Sequence, residues 1–116
     1  MAMDRFKDHI YETAQDVCAL VLKKREAYGT ANLTEQGLMG IIDRLGSDKL
    51  SRARTIVSRT KLRDDMRATG MPQDVIDEYA PPITTGDESL ADTMQDVIGY
   101  ALIFLAMMDG AWDTER

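Results

Sequence analysis

A ladder of carboxylates is the part of this 116-residue chain whose spacing most directly permits chemistry. Glu88, Asp92 and Asp96 recur every four residues, so on an α-helix they lie along one side within about 80° of arc. Such carboxylates can converge on Mg²⁺, which prefers oxygen ligands. Stabilisation of a helix start explains acids in the first turn, including Glu88, but not Asp96, two turns inside. The ladder therefore predicts a metal site, with Asp96 as its sharpest candidate.

A second charged layer interrupts a face that should be apolar. The apolar face of a predicted second helix continues at 3.6 residues per turn onto Lys49 and Arg52, with Asp48 at its edge. Charged side chains that face a core must be paired with an opposite charge or must take part in a binding site, because desolvating one alone costs several kcal/mol. Three interpretations remain open: the helix outruns its partner into water, the cations form a structural salt bridge with the ladder, or they belong to a site. The expected apolar positions are Leu38, Ile41, Ile42 and Leu45.

The elements that carry these charges are all predicted to be helical. The first helix should run from about Asp4, its cap, to Tyr28, because cations in the last turn followed by Gly29 are typical of a helix end. Its expected buried face is Phe6, Ile10, Ala14, Val17, Leu20 and Val21.

Capping patterns predict where the later helices begin. Asn32 with Glu35 should start the second helix, and Thr85 with Glu88 should start the final one, which ends at Asp109-Gly110 before a frayed tail. Residues 58–70 are charged and are predicted to be a solvated helix continuation or a mobile connection. Pro72 to Tyr79 is predicted to be a short helix.

Composition restricts the class of protein. The formal charge of −6 and the pI near 4.7 argue against duplex nucleic acid as a partner, which requires a basic face. A nucleotide stays possible, because anionic ligands can bind through Mg²⁺ and a few placed cations. The single cysteine, Cys18, cannot form an intramolecular disulfide and is expected to be buried in a protein of a reducing compartment. We expect a soluble, cytoplasmic protein.

The final helix contains the most apolar run of the chain. The twelve residues from Val97 to Met108 carry no charge. This run is too short to span a bilayer, which takes a helix of about 20 apolar residues. A helix that is apolar all round belongs inside a bundle or an interface. We therefore predict one all-α domain, residues 1–116, folded as a compact bundle of about four helices that self-associates as a homo-oligomer through this helix.

Three elements occur in a fixed order: Lys24-Arg25-Glu26-Ala27-Tyr28-Gly29, then Asp48-Lys49-Leu50-Ser51-Arg52, then the stretch from Asp87 to Ala101 with the ladder. Together they resemble a small phage and bacterial family labelled nucleotide-modification-associated, over about residues 20 to 108. More distantly, the chain is similar to the all-α nucleoside triphosphate pyrophosphatases of the MazG and dimeric dUTPase type, which use helical carboxylates to bind Mg²⁺ and cleave between the α- and β-phosphates.

The resemblance implies a MazG-like bundle and a nucleoside triphosphate pyrophosphohydrolase of phage nucleotide metabolism, in a bacterial or phage-infected host cytoplasm. Asp92, Asp96 and Lys49 would be catalytic. Glu88, Asp92, Asp96 and Asp48 would hold Mg²⁺. The nucleotide would contact Lys24, Tyr28, Lys49, Arg52 and Tyr100.

The chain also departs from the MazG pattern. MazG-type enzymes carry Glu-x-x-Glu where this chain has Asp48-Lys49-x-x-Arg52, and Thr93 takes the place of a glutamate before Asp96. Half of the usual metal cage is thus missing or replaced by cations. Two other functions therefore stay open: a non-catalytic protein that binds or sequesters a nucleotide, and a structural helical bundle that binds other proteins.

Overall fold

The computed structural model describes residues 4–83 and 89–113, and every regular element within them is helical. This confirms the all-α prediction. The elements are α1 (Arg5–Tyr28), α2 (Ala31–Asp43), a π-helical segment (Arg44–Leu50), α3 (Ser51–Ala68), α4 (Gln73–Tyr79) and α5 (Leu90–Met108). Because α2, the π-helical segment and α3 follow one another directly, they form one long rod with a kink at Gly37, and the described chain contains four helical units.

The ends of α1 agree with the prediction, whereas the start of α2 does not. The Asp4 side chain accepts a hydrogen bond from the Lys7 backbone N–H, and Gly29 ends the helix at a φ of 72°. The predicted cap at Asn32 is wrong, because α2 already begins at Ala31. The Asn32 side chain instead accepts from the Gln36 amide, one turn further along.

The final helix also begins later than predicted. Ser89 is its cap: the Ser89 hydroxyl accepts from the Asp92 N–H, and the Asp92 carboxylate accepts from the Ser89 N–H. Thr85 and Glu88, the predicted start, lie outside the described residues. The end is confirmed, since α5 stops at Met108 and Asp109 caps it.

The charged stretch 58–70 is a helix continuation rather than a mobile connection, because α3 runs unbroken to Ala68. Gly37 marks a kink within α2, where its φ of 71° suits glycine alone at low cost. The segment Pro72 to Tyr79 is confirmed as helical from Gln73 onward, with Pro72 at the cap position.

The main core lies where α2, α5 and the residues after α5 meet. Ile41, Ile103 and Trp112 form it. The prediction of a frayed tail is wrong as far as Trp112, whose indole N–H donates to the Thr30 carbonyl at 3.4 Å.

Several side chains that we predicted to be buried are exposed. In the first half of α1, Phe6, Ile10 and Ala14 have no helix packed over them, and Cys18 is exposed as well. Of the predicted α1 face, Val17 is buried and Leu20 and Val21 are half-buried. On α2, Ile41 is buried and Leu45 half-buried, but Leu38 and Ile42 are exposed. The periodicity is helical, but the described residues supply no partner for much of each face.

The prediction that the bundle is compact is wrong, because the molecule is extended for its length. Its radius of gyration is 18.6 Å and its dimensions are 60 × 46 × 22 Å, whereas a compact domain of this length has a radius of gyration of about 13 Å. Elements at the centre pack against several others, and α4 packs only against α3 among the described elements.

Candidate functional site

A cleft lies between α1 and α5, closed at one end by α2 and the residues around Trp112. It encloses about 230 Å³. Gly99 lets the two helices approach closely, because a Cβ atom there would lie 3.1 Å from Cγ2 of Val21. The apolar lining consists of Val17, Leu20, Val21, Leu33, Gly99 and Ile103. The polar and aromatic lining consists of Lys24, Arg25, Tyr28, Asn32, Arg44, Gln95, Asp96, Tyr100 and Trp112.

Asp96 is the acid at this cleft, and both of its oxygens face ammonium groups. One oxygen lies 2.9 Å from Nζ of Lys49, and the other lies 3.5 Å from Nζ of Lys24. Burial raises the pKa of the Asp96 carboxyl, but the hydrogen bond from Lys49 and the charge of Lys24 together lower it more, so the pKa lies below its ordinary value of 3.8. Asp96 is therefore a carboxylate at neutral pH.

The π-helical segment brings two cations to the same side of the rod. Residues five apart lie one above the other in a π-helix, and Arg44 and Lys49 have this separation. The segment packs against α5. There Lys49 reaches Asp96, and Arg44 donates through Nη1 to the Tyr100 hydroxyl at 3.3 Å. One local change of helix type thus supplies both contacts.

Each of two arginines at the cleft lies over an aromatic ring. The Arg44 guanidinium is 5.9 Å from the centre of the Tyr100 ring, and its Nε donates to the Gln36 side chain at 3.1 Å. Arg25 is 5.4 Å from the centre of the Trp112 ring, and its Nε donates to the Trp112 carbonyl at 2.9 Å. These contacts fix both planar cations before any ligand binds.

The charge of the cleft has the opposite sign to that of the protein. Lys24, Arg25 and Arg44 line it against a single carboxylate, Asp96, which leaves an excess of two positive charges. The whole chain has a formal charge of −6. A cationic cleft with apolar walls attracts anions, because its low-dielectric surroundings focus the field.

Some predicted site residues meet in the cleft and others do not. Lys24, Tyr28, Asp96 and Tyr100 all line it, and Lys49 contacts it through Asp96. The cleft does not include Arg52 or Asp92, and Asp48 borders a separate groove with Asp43 and Gln36.

Three interpretations were open for the charged layer of the second helix. The structure rejects the first of them for Lys49, a helix that outruns its partner, and shows the second, a salt bridge to the ladder. Lys49 does not extend into water: its side chain is 14% exposed and paired with Asp96, so the helix does not outrun its partner at this position. The salt bridge to the ladder exists, and it lies beside the cleft.

Sequence reasoning missed several residues of the cleft. Arg44 was overlooked because regular α-helical spacing does not predict a π-helical segment. Trp112 was assigned to a frayed tail, although the only tryptophan of a chain with 6% aromatic residues was a signal of burial. The position of Arg25 predicts a helix end and that of Asn32 predicts a cap, and neither pattern indicates a cleft.

The predicted Mg²⁺ ligands do not come together among the described residues. No group of three or more His, Cys, Asp or Glu side chains with metal-binding spacing occurs in residues 4–83 and 89–113. Both oxygens of Asp96 are in ion pairs, Asp92 accepts from the Ser89 N–H, and Asp48 borders another groove. Glu88 lies outside the described residues. Thr93, at the position of a MazG glutamate, is fully buried. The described donors do not form a metal cage, and the Mg²⁺ site stays a prediction.

No protein-family model, curated protein or solved structure matches this chain at a significant level. The resemblance to nucleotide-modification-associated and MazG-type proteins therefore stays a prediction. The geometry of the cleft is the basis for assigning a function.

Proposed function

We propose that this chain binds a nucleotide in the cleft between α1 and α5. The observation that carries the proposal is an apolar cavity of about 230 Å³ that is bordered by aromatic rings and by an excess of positive charge, in a protein that is acidic overall. A planar ring with an attached anionic group matches both features. Nucleotides combine these properties.

The size of the cavity limits how much of the ligand it can enclose. Pockets that surround a drug-sized ligand measure about 300–1,000 Å³, so this one takes a single ring system. The base would occupy the apolar part beside Tyr100, where stacking on an aromatic ring tolerates different bases. The side-chain amides of Asn32 and Gln95 can then form hydrogen bonds with the base edge.

The phosphate group would lie at the rim. The Lys24 side chain is 53% exposed and borders the cavity, so it can meet a phosphate that remains partly in water. Arg44 and Arg25 are already held on aromatic rings, so a ligand that they contact does not have to order them. Asp96 repels an anion, but its two ammonium partners offset this charge.

Binding is favoured here over hydrolysis. A metal-dependent pyrophosphohydrolase needs carboxylate oxygens that are open to the metal, whereas those of Asp96 face Lys24 and Lys49. Mg²⁺-dependent cleavage of a nucleoside triphosphate, the activity that the resemblance implies, is the alternative that the experiment must distinguish. In that case Asp92 and Asp96 would be the residues to carry the metal.

Thermal shift measurements with nucleoside mono-, di- and triphosphates, in Mg²⁺ and in EDTA, test the proposal directly. We expect at least one class to raise the melting temperature in EDTA. Lys24→Ala should reduce this ligand-induced shift, and Lys23→Ala, the same change at the exposed neighbouring position, should leave it intact. If no nucleotide raises the melting temperature in either condition, the proposal is wrong.

Turnover separates the two functions. Each triphosphate is incubated with the protein and Mg²⁺, and pyrophosphate release is measured. A shift without release supports a binding protein. Release that requires Mg²⁺ and disappears in Asp96→Asn would replace it with the hydrolase function.

A further inference from the structure

The outward face of α5 is an uninterrupted apolar stripe. It consists of Met94, Ile98, Ala101, Leu102, Leu105 and Met108, whose spacing keeps them on one side of the helix. All six are exposed, and Leu105 and Met108 are more than 60% exposed. No charged residue interrupts the helix between Asp96 and its end.

The stripe is separate from the cleft, because α5 has two different sides. Its inward side carries Asp96, Gly99, Tyr100 and Ile103, which face α1, α2 and the π-helical segment. Helices of the same chain therefore cover one side only. The stripe has the composition of a core surface but no partner among the described residues.

The surface area of the chain indicates how much partner surface is missing. The accessible surface is 8718 Å², whereas a folded monomer of 13.0 kDa exposes about 6,300 Å². The excess is roughly 2,400 Å² per chain. Obligate homodimers bury about 2,000–5,000 Å² in total, so the chain has enough uncovered surface, part of it in this stripe and part in the first half of α1, for two copies to form a stable interface.

We propose that a second copy of this chain covers the stripe, with two α5 helices packed antiparallel about a two-fold axis near Ala101. A two-fold axis pairs the same surface on both copies. Ala101 is the midpoint between Met94 and Met108, and its small side chain permits close approach at the axis. An antiparallel pair also separates the two helix N-termini and their Asp92 carboxylates, which a parallel pair would bring together.

A lipid bilayer is the competing occupant. By length and composition, α5 is the single described helix able to cross a membrane: it has 19 residues and a mean hydropathy of 1.3 over its best window, 17% of which is buried. The predicted uncharged run was therefore shorter than the helix that contains it. Crossing would place Asp96 in hydrocarbon and detach the inward side from the charged helices that pair with it. A second copy covers the stripe and leaves those contacts in place.

Mass measurement in solution is the first test, and it does not depend on nucleotide binding. Light scattering after size exclusion should give twice the 13.0 kDa chain mass. The double variant Leu102→Lys, Leu105→Lys should dissociate, with a dimer dissociation constant raised at least a hundredfold. Tyr79→Lys, the same type of change on exposed α4, should remain a dimer. A monomeric wild-type chain, or one that floats with phosphatidylcholine vesicles, would overturn the proposal.

Disulfide trapping tests the arrangement without a charged substitution. Cys18 is exposed, so Cys18→Ser provides the background. On this background Ala101→Cys should form a dimer-linking disulfide under mild oxidation, because the two positions meet at the axis. Met94→Cys and Met108→Cys should each fail to link to themselves but should link to each other in a mixed sample. Self-linking at all three positions would indicate a parallel pair and contradict the proposal.

Discussion

Two regions of this molecule hold arginine side chains through contacts within the protein, with different results. Between α3 and α4, Arg63 donates to the Ala80 carbonyl at 2.6 Å and to Asp77 at 2.8 Å, and Arg59 donates to the Pro81 carbonyl at 2.6 Å. All three acceptors lie in α4 or directly after it. The contacts fasten a short helix that packs against nothing else in the described chain.

The cleft uses its arginines differently. Arg25 and Arg44 lie over aromatic rings and border a cavity of about 230 Å³, whereas the groove beside Arg63 encloses about 140 Å³. Cations alone therefore do not define a binding site. They do so where an apolar cavity and aromatic surfaces accompany them and leave room for a ligand.

The largest expected effect comes from the cores of the two regions. Ile41 lies beside the cleft and Ile76 lies in α4, and both are fully buried. Each change to alanine should lower the free energy of unfolding by about 2–5 kcal/mol. Urea titrations measure this loss. Under conditions where both variants stay folded, Ile41→Ala should also weaken nucleotide binding, whereas Ile76→Ala should not. Equal losses of binding would show that the two regions are not independent.

Arg63, with its acceptors Ala80 and Asp77, forms a clamp on α4. Removing this clamp should have the next largest effect on stability. The Arg63 side chain is 11% exposed, and Arg63→Ala leaves the Ala80 carbonyl and Asp77 without this donor. We expect a loss of about 1–3 kcal/mol in chemical denaturation. The nucleotide-induced thermal shift should not change. The exposed residue Arg54 supplies the control, since Arg54→Ala removes the same charge from α3 outside this clamp.

At the cleft, an arginine should affect affinity more than folding. Arg44→Gln removes the cation over Tyr100 but keeps a polar side chain of moderate length. We expect about tenfold weaker nucleotide binding by isothermal titration, which corresponds to about 1.4 kcal/mol. The matched change Arg59→Gln, in the α3–α4 region, should leave affinity within twofold. The reverse pattern would show that the anion binds in the α3–α4 region instead of the cleft.

The smallest effect is a dependence of stability on pH. The pKa of Asp96 is lower in the folded chain than its ordinary 3.8, so its contribution to stability is complete only at pH values well above 3.8. It is lost as the pH falls from about 5 through the folded pKa. Asp96→Asn should remove about 1 kcal/mol at pH 7 and flatten the unfolding free energy between pH 5 and pH 3. Asp77, whose pKa is also lowered by Arg63, Gln73 and Arg67, should continue to contribute a pH dependence in that variant.

The sequence predicted local structure well and tertiary partners poorly. Helix ends at Gly29 and Asp109 follow from backbone chemistry within a few residues, and they are where we expected them. Phe6 and Ile10 have the spacing of a buried face but are exposed, because spacing shows which side is apolar and not whether anything covers it.

The candidate site was predictable in part for the same reason. A salt bridge between Lys49 and the carboxylate ladder was one of three open interpretations, and Lys49 does pair with Asp96. Arg44 was not expected, since its position depends on a change of helix type. Asp92 was assigned to a metal, but its carboxylate completes a helix cap formed with Ser89.

The π-helical segment also fixes the phase of the long rod. Each residue of an α-helix turns the chain by about 100°. Deleting one residue within the segment, such as Gly46, would let regular α-helical bonding run from α2 into α3. The wide π-helical turn holds about one residue more than an α-helical turn, so α3 would keep nearly the same orientation. Deleting one residue of the regular helix before the segment, such as Ile42, would instead rotate everything beyond it by about 100°. Lys49 would then point away from Asp96, and α3 would present a different side to α5. The rod therefore depends on the number of its residues as well as on their identity.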